Sequence, residues 1–398
     1  MTNLPQGWEV KKLEEIANIK GGKRLPKGKN LLDNNTKFAY IRVADFQDNG
    51  TINLQNIKFI NENTYNVLKN YKIYDDNLYI SIAGTIGKSG IIPKELNGAI
   101  LTENAVKLEY IQNNISNKFM YFFTLSNIFK TQIQTSTKIV AQPKLAITRL
   151  KQIQIPLPPL KEQERIVGIL DESFAKIDES IKILEQDLLN LDELMQSALQ
   201  KAFNPLKDNA KENYKLPQSW EWKSLEEISE NISAGGDKPK NCTESKTAKN
   251  QIPVYANGVN NNGLVGYTDK ATIIKPSLTI SARGTIGFVC IRKEPYFPIV
   301  RLISLIPCEN ILCLHYLYFC LNFFIAKGEG SSIPQLTIPK FKSLQIPLPP
   351  LKEQEQIAKH LDFVFEKTKA LKELYTKELK DYEELKQSLL NKAFKGEL

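Results

Sequence analysis

The undecapeptide Gln154-Ile-Pro-Leu-Pro-Pro-Leu-Lys-Glu-Gln-Glu164 returns unchanged as Gln345 to Glu355, 191 residues further along a chain of 398. No other feature limits the fold as much, because it makes the chain one plan used twice. Each copy has the chemistry of a helix start. Pro158 and Pro159, like Pro349 and Pro350, sit where a helix has no use for the missing N–H. Glu162 and Glu353 place negative charge at the positive end of the helix dipole. Downstream of the first copy, apolar residues fall at Leu170, Phe174, Ile177, Ile181, Leu184, Leu188, Leu191, Met195, Ala198 and Ala202. The alternating steps of four and three are the seam of a coiled coil. The second helix has a wider stripe through Leu361, Val364, Leu371, Tyr375, Tyr382, Leu385 and Leu389. Both end alike, at Ser197-Ala-Leu-Gln-Lys-Ala-Phe203 and Ser388-Leu-Leu-Asn-Lys-Ala-Phe394. An antiparallel pair with a pseudo-two-fold axis is the arrangement expected of them.

The parts before each helix also repeat. Leu4-Pro-Gln-Gly-Trp8 matches Leu216-Pro-Gln-Ser-Trp220, with each tryptophan expected as a core anchor. Gly21-Gly22 and Gly235-Gly236 lead into basic loops with Lys23, Arg24 and Lys27 in the first half and Lys238 and Lys240 in the second. Paired glycines followed by proline mark turns. The halves then diverge, one through Phe38-Ala-Tyr-Ile-Arg42, the other through Asn257 to Asn260-Asn261-Asn262-Gly263. They reconverge on Gly84-Thr-Ile-Gly87 and Gly284-Thr-Ile-Gly287, each between two apolar runs that read as a hairpin. An aromatic helix and an extended piece complete each half. The fold class is therefore mixed α/β: globular unit, long helix, polar linker from Asn204 to Lys215, globular unit, long helix.

The net charge is +9, and its placement is informative. Residues 160–203 hold five basic and ten acidic side chains and residues 351–398 hold ten of each, so the rest carries +14. Basic globular parts fit a phosphate-bearing partner, with the helices doing other work. At 42% hydrophobic and 24% charged, the composition is that of a soluble globular protein. The start shows no secretory signal, and the apolar run Ile311 to Ala326 is too short for the ~20 residues of a membrane span. All five cysteines lie in the second half, so a disulfide or metal framework common to both copies is excluded. Free thiols in a reducing cytoplasm are expected.

Motifs for chemistry are missing. Gly84-Thr-Ile-Gly87-Lys88-Ser89 has Ile82 where a phosphate-binding loop needs glycine. Cys308, Cys313, His315 and Cys320 fit no common zinc spacing and lie on an apolar helix. No nucleophile–histidine–acid set repeats between the halves.

These residues resemble the specificity subunit of type I restriction–modification systems. The resemblance covers essentially the whole chain and rests on the duplicated proline motif before a coiled-coil helix, the Leu-Pro-x-x-Trp openings and the Gly-Thr-Ile-Gly turns. It implies two target recognition domains, 1–155 and 206–346, and two conserved helical regions, 156–205 and 347–398. It implies that double-stranded DNA is bound as a bipartite, non-palindromic target. It further implies docking of two methyltransferase (modification) subunits and joining of restriction subunits, with S-adenosylmethionine, ATP and Mg on those partners and no cofactor or catalysis on this chain. Candidates for DNA contact are Lys23, Arg24, Lys27, Arg42, Lys88, Lys138 and Lys144 in the first unit, and Lys238, Lys240, Asn260, Asn261 and Arg283 in the second. Candidates for helix start and partner docking are Pro158, Pro159, Glu162, Gln163, Pro349, Pro350, Glu353 and Gln354. The competing readings are an enzyme with an unrecognised nuclease or hydrolase site, and a coiled-coil adaptor without a DNA role. The charge partition speaks against the adaptor, and the missing repeated acid/base set against the enzyme.

Overall fold

The computed structural model describes residues 4–136, 144–203, 219–325, 328–329 and 335–398. Lys138 and the linker residues 204–215 lie outside them. The chain forms two compact units, residues 1–184 with 376–398, and residues 185–375.

In the first unit, β1 (Glu9–Lys12), α1 (Leu13–Ile16) and β2 (Ala17–Gly21) follow one another directly. Then come β3 (Ala39–Ile41), β4 (Lys58–Phe59), α2 (Glu62–Val67), β5 (Lys72–Ile73), β6 (Leu78–Ser81), β7 (Ser89–Ile91), β8 (Ala99–Leu101) and β9 (Ala105–Tyr110). The aromatic helices α3 (Asn117–Leu125) and α4 (Asn127–Ser136), the short α5 (Ile147–Lys151) and β10 (Gln154–Leu157) lead into α6 (Leu160–Phe203). One antiparallel sheet has the order β2-β9-β6-β7 and a second, mixed sheet the order β4-β3-β8-β5. The strands are nearly continuous apolar runs because both faces are covered. Leu78, Ile80, Val106 and Leu108 pack on the aromatic helix, while Tyr79 and Ala105 face Phe46 and Ile52 on the other side.

The second unit repeats the plan with β11 (Glu221–Ser224), α7 (Leu225–Ile228), β12 (Ser229–Ala234), β13 (Ile252–Tyr255), β14 (Leu264–Thr268), β15 (Ser277–Ile280), β16 (Thr285–Ile286), β17 (Val289–Arg292), β18 (Phe297–Pro298) and β19 (Ile303–Pro307). The aromatic helix α8 (Leu314–Phe324), β20 (Gly328–Glu329), α9 (Ile338–Lys342) and β21 (Gln345–Leu348) precede α10 (Leu351–Ala393). Its main sheet runs β12-β19-β15-β17, beside β14-β13-β18. Both Gly-Thr-Ile-Gly segments close hairpins, with β6 against β7 and β15 against β17.

The repeated undecapeptide does three things in each copy. Its first four residues are a strand paired in identical register with the opening of its own unit: Glu9 with Leu157 through Lys12 with Gln154, and Glu221 with Leu348 through Ser224 with Gln345. Its prolines turn the chain into the helix. Its glutamine then turns inward, which the sequence did not announce. The Gln163 side-chain oxygen accepts from the Ser116 N–H at 2.8 Å, while its amide donates to the carbonyls of Asn114 and Pro158. Gln354 makes the matching bonds to the Cys313 N–H and to the carbonyls of Ile311 and Pro349. Both side chains are buried, so each can only fasten the start of its long helix to the start of its aromatic helix. As docking contacts Gln163 and Gln354 are therefore withdrawn: they present no surface to a partner.

Every seam residue read on α6 is buried or half-buried, and Leu199 and Phe203 extend the seam. On α10 the sequence reading needs correction. Leu371 and Leu385 are exposed, and the seam steps instead through Leu361, Phe365, Thr368, Lys372, Tyr375, Leu379, Tyr382, Lys386 and Leu389. Lysine stems cover apolar surface while their ammonium groups reach out. Here each finds an aspartate on α6, Lys386 with Asp178 at 2.5 Å in the first unit and Lys372 with Asp192 in the second. Within the first unit Ile166 and Leu170 share a core with Leu390 and Phe394, and within the second Leu199 and Phe203 share one with Ala358 and Leu361. Rising numbers on one helix meet falling numbers on the other, so each stretch of the pair is antiparallel.

Candidate nucleic-acid interface

In the second unit four polar turns are laced together around Asn257. Its side-chain oxygen accepts from the Ala282 N–H at 2.8 Å, beside Arg283 at the tip of the hairpin, and its amide donates to the Val300 carbonyl at 2.6 Å. The N–H groups of Val300 and Arg301 in turn donate to the carbonyls of Gly236 and Gly235, both at 2.8 Å. Those glycines open the loop bearing Lys238 and Lys240. The Asn260–Gly263 turn follows on the other side, with Gly258 N–H donating to Ser281 Oγ at 3.2 Å. Gly235 is required by this lacing, since a Cβ there would stand 2.6 Å from the Ile299 nitrogen. Lys238, Lys240, Asn260, Asn261 and Arg283 are all exposed. The lacing ties the Arg283 tip and the Asn260–Gly263 turn to the glycines that open the loop of Lys238 and Lys240, while Lys240 itself adjoins Asn241, which accepts from Thr268 Oγ1 at 3.0 Å at the other end of the β13–β14 hairpin.

The structure adds one residue that the sequence hid. Arg301 is exposed and lies in the left-handed region with Val300, at φ +60° and +54°. A valine–arginine pair carries none of the Gly, Asn or Pro signals that mark such turns. The tie through Asn257 was also unforeseen, because an asparagine in an Asn-rich loop gives no sign of which backbone groups it binds.

The first unit places the same turns together with different chemistry. The Gly22 and Lys23 N–H groups donate to the carbonyls of Ala105 and Leu101, both at 2.9 Å. The hairpin turn is bordered by Lys144, since Leu145 N–H donates to Ile82 O at 2.9 Å. By strand register Glu103 and Asn104 stand where Val300 and Arg301 stand in the second unit. Glu103 binds Arg24 at 2.8 Å. Burial pushes the Glu103 carboxyl up, but hydrogen bonds from Arg24, its own backbone and Thr102 outweigh it and hold the carboxyl below its ordinary range. Lys23, Lys27 and Lys144 are exposed alongside.

Two first-unit candidates are already engaged. Arg42 makes a two-pronged contact with the buried Asp45, at 3.0 and 2.5 Å, and a third bond to the Asn56 carbonyl. It holds its own turn, as short-range arginine–carboxylate forks do. Lys88 immediately precedes the hairpin's edge strand β7 and pairs with Asp48 at 2.7 Å. Lys138 lies outside the described residues.

Each unit carries a basic turn region, with Lys, Arg and Asn presented differently in each, and each such region suits phosphates and base edges. Among the described residues no group of His, Cys, Asp and Glu is arranged to hold a metal ion. No helix there is long and apolar enough to cross a membrane.

The family model described as "Type I restriction modification DNA specificity domain" matches residues 5–188 and again 217–381. The chain belongs to that family. It is the DNA-specificity component of a type I restriction–modification system, the part that recognises rather than catalyses. Its similarity extends to a putative type I specificity subunit of Mycoplasma pneumoniae, 29% identical over 88% of this chain and 87% of that one. A putative type I restriction enzyme specificity subunit of Methanocaldococcus jannaschii is 24% identical over 99% of this chain and 94% of its own. Among solved structures, the HsdS subunit of Thermoanaerobacter tengcongensis superposes with a TM-score of 0.63 at 21% identity, covering 100% and 98% of the two chains. A chain from a study of type I complex assembly and conformational transition superposes with a TM-score of 0.81 at 20% identity, over the full length of both. The specificity family thus shares this fold of two repeated α/β domains and long helices.

Proposed function

We propose that the two units read two different half-sites of one double-stranded DNA target. The observation that carries this reading is the contrast between matching turns: Arg24 is neutralised by Glu103 in the first unit, whereas the second presents Arg301, Arg283 and an Asn-rich loop. Identical halves would call for a palindrome; a repeated scaffold with unlike turns calls for a bipartite, non-palindromic sequence. Phosphate contacts fix position and base contacts set sequence. Lys23, Lys27, Lys144, Lys238 and Lys240 suit the first role, and Asn260, Asn261, Arg283 and Arg301 the second.

The long helices dock the catalytic partners, two modification subunits, with restriction subunits joining that assembly. Support comes from the large apolar side chains left exposed on them, Leu194, Phe363 and Leu374 in the second unit and Ile183 in the first. S-adenosylmethionine, ATP and Mg then act on those partners. The test is exchange of residues 1–155 for the corresponding part of a relative, followed by genome-wide mapping of methylated sites. One half of the target should change. A change in both halves, or in neither, overturns the reading.

A further inference from the structure

The Asn260–Gly263 turn of the second unit has a backbone that few residues adopt. Asn261 and Asn262 lie in the left-handed region one after the other, at φ/ψ of 48°/34° and 51°/32°, and Gly263 follows at φ +79°. Asparagine visits that region more readily than most residues, but singly. The turn is closed at its base, where the Ala256 N–H donates to the Gly263 carbonyl at 2.8 Å, and the Asn262 N–H reaches the Val259 carbonyl at 3.1 Å. Strained backbone of this kind persists only where its surroundings hold it, and it collects at functional sites.

Arg292, the last residue of β17, supplies the hold. Its Nη2 donates to the Asn262 carbonyl at 2.5 Å, and its Nε donates to Thr279 Oγ1 on β15 at 3.0 Å. The guanidinium stacks 3.5 Å from the centre of the Tyr255 ring at the end of β13, and Tyr296 steadies that ring edge-on at 5.7 Å. One rigid fork therefore links both sheets of the unit to the turn. The guanidinium is buried and makes no ion pair among the described residues, although Asp362 and Glu366 border the same cleft. A buried cation is costly, and the shared scaffold does not need one here. By hairpin register Ile92 holds this place in the first unit, inside an apolar core, and Tyr79 holds the place of Thr279. There the Tyr79 hydroxyl donates to the Thr51 carbonyl at 2.9 Å and fastens the turn between β3 and β4. Each unit thus pins the corresponding turn from its main sheet, and the second does so with a charge.

We propose that Arg292 is a positioning residue for DNA reading. It holds the Asn260–Gly263 turn, before DNA arrives, in the shape that presents Asn260 and Asn261 to base edges, so that binding does not bear the cost of ordering the turn. This role rests on the reading that those two asparagines contact bases in the second half-site. Arg292 touches no base itself, since it is buried.

The probe is a pool of random DNA duplexes, from which the full chain assembled with its modification subunits selects. Sequencing the bound fraction gives the discrimination at each position of both half-sites. Arg292→Met keeps the stem and removes both hydrogen bonds. Discrimination should fall about tenfold at positions of the second half-site alone. The first half-site and the salt dependence of affinity should stay as they are, because no phosphate contact is lost. Adding Asn262→Gly, which takes left-handed backbone freely and fills none of the guanidinium's space, should recover at least about threefold of that loss. A role in packing alone would show no recovery. Should Arg292→Met not fold, Thr279→Val decides: it removes the acceptor of Nε at constant shape, and a loss of about threefold in the same half-site supports the role. Asn260→Ala with Asn261→Ala tests the reading beneath. If that pair loses discrimination and Arg292→Met keeps it, the role of Arg292 alone falls; if neither variant loses it, both fall. Loss with Arg292→Met but not with the pair, equal relaxation of both half-sites, or no recovery with the glycine also overturns the role.

Discussion

The Gln163 side chain holds the Ser116 backbone N–H at 2.8 Å, 47 residues away in sequence, and Gln354 holds the Cys313 N–H at 2.9 Å in the same way. Each glutamine satisfies three backbone groups where its long helix meets its aromatic helix. Replacing Gln163 by leucine keeps the bulk and strands those groups, at about 1–3 kcal/mol for each buried group left unpaired. The variant should melt well below the parent, and Gln354→Leu should do the same. Urea unfolding measures both. A loss under about 0.5 kcal/mol, the range of an indifferent surface change, would sink the clamp.

Arg301 supplies the second prediction. Arg301→Ala, with Lys238→Ala and Lys240→Ala, removes three exposed cations from the second unit. Each lost phosphate contact should flatten the dependence of log affinity on log salt by about 0.9. A lost base contact should instead relax the sequence read at one position. Arg42→Ala should leave the salt slope alone, since that side chain is spent on Asp45 and Asn56, while lowering stability. Fluorescence anisotropy at several salt concentrations separates these outcomes.

Lys386 and Asp178 give the third. Lys386→Glu places like charges together in the seam and strips the stem from the Phe174 ring, 5.7 Å from the ammonium. The loss should be about 1 kcal/mol. Adding Asp178→Lys should recover part of it. Equal stability of the single and double variants would show that the charges do not communicate.

Acid tests the Arg24–Glu103 pair. A carboxyl held below its ordinary value stabilises the fold above that value, and the contribution disappears as pH falls through the lowered one. Glu103→Gln should therefore lose stability relative to the parent at pH 7. The difference should close below the ordinary carboxylate value of 4.5. Melting curves across that range decide, and a gap that widens in acid contradicts the assignment.

The repeat, both helices, the hairpins and the extended piece that enters each proline motif can all be read in the sequence, because each rests on local signals: proline, paired glycines, apolar period. What escaped reading rests on distant partners. The apolarity of leucine predicts a stripe through Leu371 and Leu385, yet both are exposed. The seam instead takes Lys372 and Lys386, whose fitness depends on Asp192 and Asp178 some two hundred residues earlier. Gln163 reads in the sequence as a helix-start and docking residue, and only the arrival of Ser116 makes it a buried clamp. Arg42 looked free until Asp45 closed on it. Arg301 could not be picked out, because its turn is imposed by the strands around it rather than by its own residues.

Phe394 packs 5.1 Å from Phe119 and 5.5 Å from Phe123, and the Leu398 carbonyl accepts from Arg165 at 2.8 Å. These contacts close the core of the unit whose strands are synthesised first. During translation the face of its aromatic helix that meets Phe394 must wait while some two hundred and seventy further residues are made. At about 5–20 residues per second the wait lasts tens of seconds, far longer than a local unit takes to fold. The last residues made thus complete the core of the part made first, and a stop codon just before Leu390 should cripple the end of the protein that the ribosome made first.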